Sequence, residues 1–111
     1  MGKAEAHTDI SRSDAIEIAR SYAQKIRSIL DNKAIIYLFG STARNEANKN
    51  SDIDIAVVSE LFNDDVAGDF TKVNLLAYEV DMRINAQAVA YTDWKQSNPF
   101  IINIKRNGIE V

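Results

Sequence analysis

Apolar positions in the first third of the chain recur at helical spacing. Ile16, Ala19, Ala23, Ile26 and Leu30 follow Ser11-Arg12-Ser13-Asp14, which has the S-x-x-D form of a capping box. The pattern predicts a helix from Ser11 to about Asp31, broken by Asn32-Lys33. Ala34 to Phe39 is a short, almost wholly apolar run ending at Gly40, the form of a buried strand. A polar segment, Ser41 to Ser51, opens with helix-compatible Thr42-Ala43-Arg44. Ile53 to Val58 then reads as a second buried strand, with Asp52 and Asp54 on one face by the period of two.

Val66, Phe70, Val73 and Ala77 return at helical spacing after the Asn63-Asp64-Asp65 turn, although Gly68 weakens that helix. Tyr78 to Ile84 alternates apolar Tyr78, Val80, Met82 and Ile84 with polar Glu79, Asp81 and Arg83, predicting a third strand that Gln87 to Tyr91 extends or follows. Asn98-Pro99 places a cap before a proline at the first helical position, and Gly108 stands where a helix-ending glycine belongs. The expected order is α-β-α-β-α-β-α, an α/β (α+β) fold with one mixed sheet flanked by helices.

Composition narrows the classes. A chain of 111 residues predicts one domain, here 11–111 behind a flexible arm at 1–10. Thirteen basic against sixteen acidic residues leave a net charge of −3, so duplex nucleic acid is not the expected partner. The absence of cysteine excludes thiolate metal sites and Cys nucleophiles and fits a reducing cytoplasm. The N-terminal stretch lacks the order of a signal peptide, Ala6 replaces the Ser or Thr of a myristoylation motif, and no apolar run approaches a membrane span.

The residues that carry chemistry are Gly40-Ser41 and, after a spacer, Asp52-Ile53-Asp54. A glycine that ends a strand and opens a helix lets backbone N–H groups approach an anion, and the serine hydroxyl adds a donor. Two carboxylates at i and i+2 on a strand suit hard cations such as Mg²⁺. Phosphate cradle and paired carboxylates together predict in-line nucleotidyl transfer. Competing patterns fail. The calcium-loop reading of Asn48 to Asp54 has Ile53 in place of the turn glycine and Ser59 in place of the final glutamate. No P-loop or dinucleotide fingerprint occurs, His7 is the single histidine, and Trp94 and the tyrosines suit hydrophobic anchoring.

The run Tyr37-Leu38-Phe39-Gly40-Ser41-Thr42-Ala43-Arg44 with Ser51-Asp52-Ile53-Asp54-Ile55 resembles the minimal nucleotidyltransferases of the polymerase-beta-like superfamily. The resemblance implies transfer of a nucleoside monophosphate, with ATP the expected donor, two Mg²⁺ ions and pyrophosphate as leaving group. It gives Gly40 and Ser41 as the triphosphate-binding pair and Asp52 and Asp54 as metal ligands. Arg44 takes either a phosphate or a structural salt-bridge role. A third carboxylate, ligand or general base, is best matched by Asp81, with Glu79 on the same predicted face. Many relatives have an acidic residue near the position of Asn85, where this chain carries an amide.

The chain ends soon after its last predicted helix, so a homodimer or a partner subunit is expected to complete the acceptor site. The resemblance points to antitoxin-type transferases encoded beside a helical HEPN protein, which they adenylylate. Two alternatives stand beside that expectation. One is a catalytically weak module that holds nucleotide or neutralises a partner by contact. The other is a small-molecule transferase whose acceptor-binding subunit is a separate chain.

Overall fold

The computed structural model describes residues 10–44, 52–63 and 65–111. Helix α1 (Arg12–Ile29) is capped by the Ser11 hydroxyl, which accepts from the Asp14 amide at 3.1 Å as the capping box predicts. Strand β1 (Ile35–Phe39) leads directly into the one-turn helix α2 (Gly40–Ala43), and β2 (Ile53–Ser59) returns antiparallel to β1. Helix α3 (Val66–Tyr78) crosses to β3 (Ile84–Ala90), which lies parallel to β2. The short helix α4 (Tyr91–Trp94), α5 (Pro99–Asn107) and β4 (Ile109–Glu110) complete the chain, β4 adding antiparallel to β1. The result is an α+β domain around a mixed sheet in the order β3-β2-β1-β4. None of the described helices is long and apolar enough to cross a membrane.

The two sheet faces bury different cores. Ile36, Leu38, Ile53, Ile55, Val57 and Ile84 pack against α1 and α3. Ile35, Tyr37, Ala56, Val58 and Val89 meet Trp94, Ile101 and Ile104 from α4 and α5. Alternate residues of β1 and β2 thus serve opposite faces, which is why both strands read as continuous apolar runs. Trp94 is the hydrophobic anchor expected of it, its ring 5.3 Å from that of Tyr37. The buried Tyr22 hydroxyl donates to the Val73 carbonyl at 2.7 Å and ties α1 to α3; burial pushes this phenol up.

Several expectations are corrected. The strand expected over Tyr78 to Ile84 is not there: α3 continues through Tyr78, residues 79–83 form a turn, and β3 begins at Ile84. The Asp81 carboxylate accepts from the Arg83 amide at 2.8 Å, closing a local turn between the end of the helix at Tyr78 and the start of the strand at Ile84. Helix α4 and strand β4 were not anticipated. Ile10, placed in the flexible arm by its sequence position, is packed in the core, while the rest of the arm lies outside the described residues, as does the polar spacer at 45–51. Gly108 caps α5 with φ −84°, not in the left-handed region. Its glycine is required by close approach, because a β-carbon there would stand 2.6 Å from the Ile104 carbonyl oxygen and 3.0 Å from that of Leu38.

Candidate active site at the β1–α2 turn

The pairing register puts Asp54 opposite Phe39 on β1 and beside Asn85 on β3. Laterally paired residues share a face, so Phe39, Asp54 and Asn85 form a row across the sheet, just where β1 turns into α2. Gly40 makes that turn with φ +78°, a conformation that disfavours any side chain. A β-carbon on Gly40 would collide with Oδ2 of Asp54 and stand 3.2 Å from its Cγ. The turn and the carboxylate are therefore built as one unit: Asp54 occupies the volume that the glycine leaves free.

The other Asp54 oxygen is held from the opposite side. Asn85 Nδ2 donates to Asp54 Oδ1 at 3.2 Å. Burial raises the Asp54 pKa above the ordinary aspartate value; the Asn85 hydrogen bond opposes this, the nearby Asp52 charge adds to it and the Arg44 guanidinium opposes it. Asp52 itself is exposed, one residue ahead of β2. The site therefore holds one half-buried and one exposed carboxylate whose charges repel, next to the turn that opens helix α2.

Helix α2 is fixed from behind. Arg12 Nε on α1 donates to the Ala43 carbonyl at 3.0 Å, and the Arg44 amide closes onto the Gly40 carbonyl at 3.2 Å. Thr42 is fully buried, and its Oγ1 is the one buried side-chain oxygen or nitrogen among the described residues without a hydrogen-bond partner. Ser41 is half-buried in the single turn of α2, directly after Gly40.

Of the expected site residues, the structure gathers Gly40, Ser41, Arg44, Asp52 and Asp54 around one turn. Asp81 does not join them. It lies in the turn before β3, its carboxylate bound to Arg83 by two side-chain hydrogen bonds of 3.0 and 2.9 Å that hold it below the usual carboxylate range. Glu79, the competing candidate, is ion-paired with Lys25 at 2.8 Å. The misplacement follows from the strand register: with β3 starting at Ile84, the residue beside Asp54 is Asn85. Among the described residues no group of three or more acidic or histidine side chains comes together to hold a metal. The donors that do converge, two carboxylate groups and an amide, are hard oxygen ligands, and a divalent cation at Asp52 and Asp54 would relieve their mutual repulsion. The residues present thus fit a hard cation, though not the three-carboxylate set.

Sequence reasoning missed Asn74. It is buried on α3, and its amide donates to the Phe70 and Ala86 carbonyls, both at 2.9 Å, and accepts from the Ala86 amide at 3.0 Å. It thereby positions β3, and with it Asn85. A lone asparagine between Val73 and Leu75 on a core-facing helix was the available signal.

No curated protein matches the chain. The family model described as a nucleotidyltransferase domain matches residues 19–109, from the middle of α1 to β4, and encloses the whole Gly40, Asp52, Asp54 and Asn85 arrangement. The chain belongs to the nucleotidyltransferase domain family.

Proposed function

We propose that this nucleotidyltransferase domain moves a nucleoside monophosphate, AMP from ATP, to a hydroxyl on a partner protein of the HEPN type, with Mg²⁺ at Asp52 and Asp54. The observation that supports the reading is the closure of the Asp54 carboxylate onto Gly40, which puts a carboxylate suited to a hard cation beside a glycine turn of the kind that binds phosphate.

In this reading Gly40 and Ser41 orient the triphosphate through backbone N–H groups and the serine hydroxyl, and Arg44 offsets charge at the same turn. When bound, the cation supplies Lewis-acid stabilisation of phosphate charge. Asp54, clamped between Gly40 and Asn85, fixes the angle of approach, and exposed Asp52 completes the pair. The acceptor oxygen bonds to the α-phosphorus, the bond to the bridging oxygen breaks and pyrophosphate leaves. Asn85 cannot accept the hydroxyl proton, so that proton passes to water.

The Asn85 amide beside Asp54 favours a second reading, in which the domain binds nucleotide and partner and transfers slowly. Incubation with α-labelled ATP, Mg²⁺ and the product of the neighbouring gene separates the two. Label should move to the partner with wild type and not with Asp52→Ala/Asp54→Ala. Transfer that survives the double substitution overturns the mechanism, and binding without transfer by wild type supports the module.

A further inference from the structure

The core-facing stripe of α3 runs past the edge of the sheet. Val66, Phe70, Val73 and Ala77 lie at i, i+4, i+7 and i+11, one face of a helix. Val73 and Ala77 are fully buried, yet Val66 is 77% and Phe70 47% exposed. The reason is the strand order: among the described residues β3 is an edge strand, with no further strand beyond it under the first half of α3.

The edge itself is only partly closed. Ile53 on β2 donates to the Arg83 carbonyl, so odd-numbered residues of this segment turn their backbone groups towards β2. Even-numbered residues face outward, as Ala86 shows by pairing both its N–H and its C=O with the Asn74 amide. Ala88 faces outward by the same period, beyond the reach of that plug. Beside it lies a groove of about 120 Å³ lined by Phe62, Val66, Phe70, Ala88 and Ala90, with Asp69 and Asp93 as its charged residues. It shares no residue with the Gly40–Asp54 site.

We propose that this groove takes an extended segment of another protein, which adds as a strand to β3 at Ala88, seats alternate apolar side chains against Val66, Phe70 and Phe62, and places lysine or arginine against Asp69 and Asp93. Strand addition to an open edge draws affinity from main-chain hydrogen bonds and specificity from pockets for alternate side chains. Charge decides the occupant. A second copy docked about a two-fold axis would bring the acidic rim against itself, whereas a basic, apolar segment complements it.

The test uses the full chain, isotope-labelled, titrated with a synthetic peptide alternating valine and threonine between a lysine and an arginine. An otherwise identical peptide with glutamate at both ends is the control. The basic peptide should shift resonances at Val66, Phe70 and Ala88 and slow exchange of the Ala88 amide, and the acidic peptide should bind about tenfold more weakly. Ala88→Pro removes the outward N–H without touching the ladder to β2 and should weaken binding at least as much. Phe70→Ser, at an exposed position, provides the same readout should the proline variant not fold. The proposal is overturned by no binding at millimolar peptide, by equal affinity for both peptides, by unchanged affinity in a folded variant, or by a chain that dimerises through this groove.

Discussion

Asp54 Oδ2 sits in the space that a β-carbon on Gly40 would require, so the carboxylate of β2 and the first residue of α2 are mutually dependent. Gly40→Ala should therefore fail twice, by steric collision and by the cost of a left-handed backbone. The second alone is about 1–2 kcal/mol. Thermal or urea unfolding of Gly40→Ala, Asp54→Ala and the double variant reads the coupling. The double variant should recover the collision part and not the backbone part, giving a non-additive cycle.

Asn85→Asp places a charge beside a carboxylate that burial already disfavours as an anion. Without divalent cation the variant should melt lower than wild type at neutral pH. It should also bind Mn²⁺ about tenfold or more tightly, because a third carboxylate then joins the cluster. Calorimetric titration with Mn²⁺ checks the affinity, and melting with and without Mn²⁺ checks the linkage.

The raised pKa of Asp54 fixes the sign of its contribution to stability. The folded state binds the proton more readily than the unfolded state, so Asp54 costs stability once the pH exceeds the ordinary aspartate value of 3.8, and the cost is complete above the folded value. Asp54→Asn should accordingly be more stable than wild type at pH 7 while losing cation binding, and the advantage should close as the pH falls below 3.8. Asp31 has the opposite sign. Its hydrogen bond from Ser59 Oγ at 2.6 Å lowers its pKa, so its contribution is present above 3.8 and is lost as the pH falls through the depressed value. Unfolding measured as a function of pH for Asp54→Asn and Asp31→Asn distinguishes the two slopes.

Removing the Asn74 amide leaves the Ala86 N–H and C=O without the partners they have on the β3 edge. Asn74→Leu should destabilise by about 2–4 kcal/mol, since buried unsatisfied backbone groups cost roughly 1–3 kcal/mol each. Exchange of the Ala86 amide should speed up more than that of amides in β1. A secondary loss of cation affinity is expected through Asn85.

The parts of the fold legible in the sequence are those whose periodicity had one physical meaning. Helix α1 had a cap and a clean stripe, and β1 and β2 were short apolar runs with a glycine and a carboxylate pair at their ends, which also exposed the site. The Tyr78 to Arg83 stretch misled because its alternation satisfies the strand period while Ala77 and Tyr78 still complete a helix, and the true strand, Ile84 to Ala90, carries three alanines of weak β preference, Ala86, Ala88 and Ala90, beside Asn85. That shift puts Asn85, and not Asp81, beside Asp54. Strand β4 spans only two residues and is specified by its pairing with Tyr37 and Leu38 rather than by local pattern.

The most direct measurement places bound nucleotide on the fold. Mn²⁺-ATP added to the isotope-labelled chain should broaden the amide resonances of Gly40, Ser41, Asp54 and Asn85 first, and Asp52→Ala/Asp54→Ala should abolish the effect. Broadening centred instead on the cavity of about 430 Å³ at Asp31, Ser59 and Tyr91, at the other end of β2, or unchanged in the double variant, would contradict a triphosphate and cation site at the Gly40 turn.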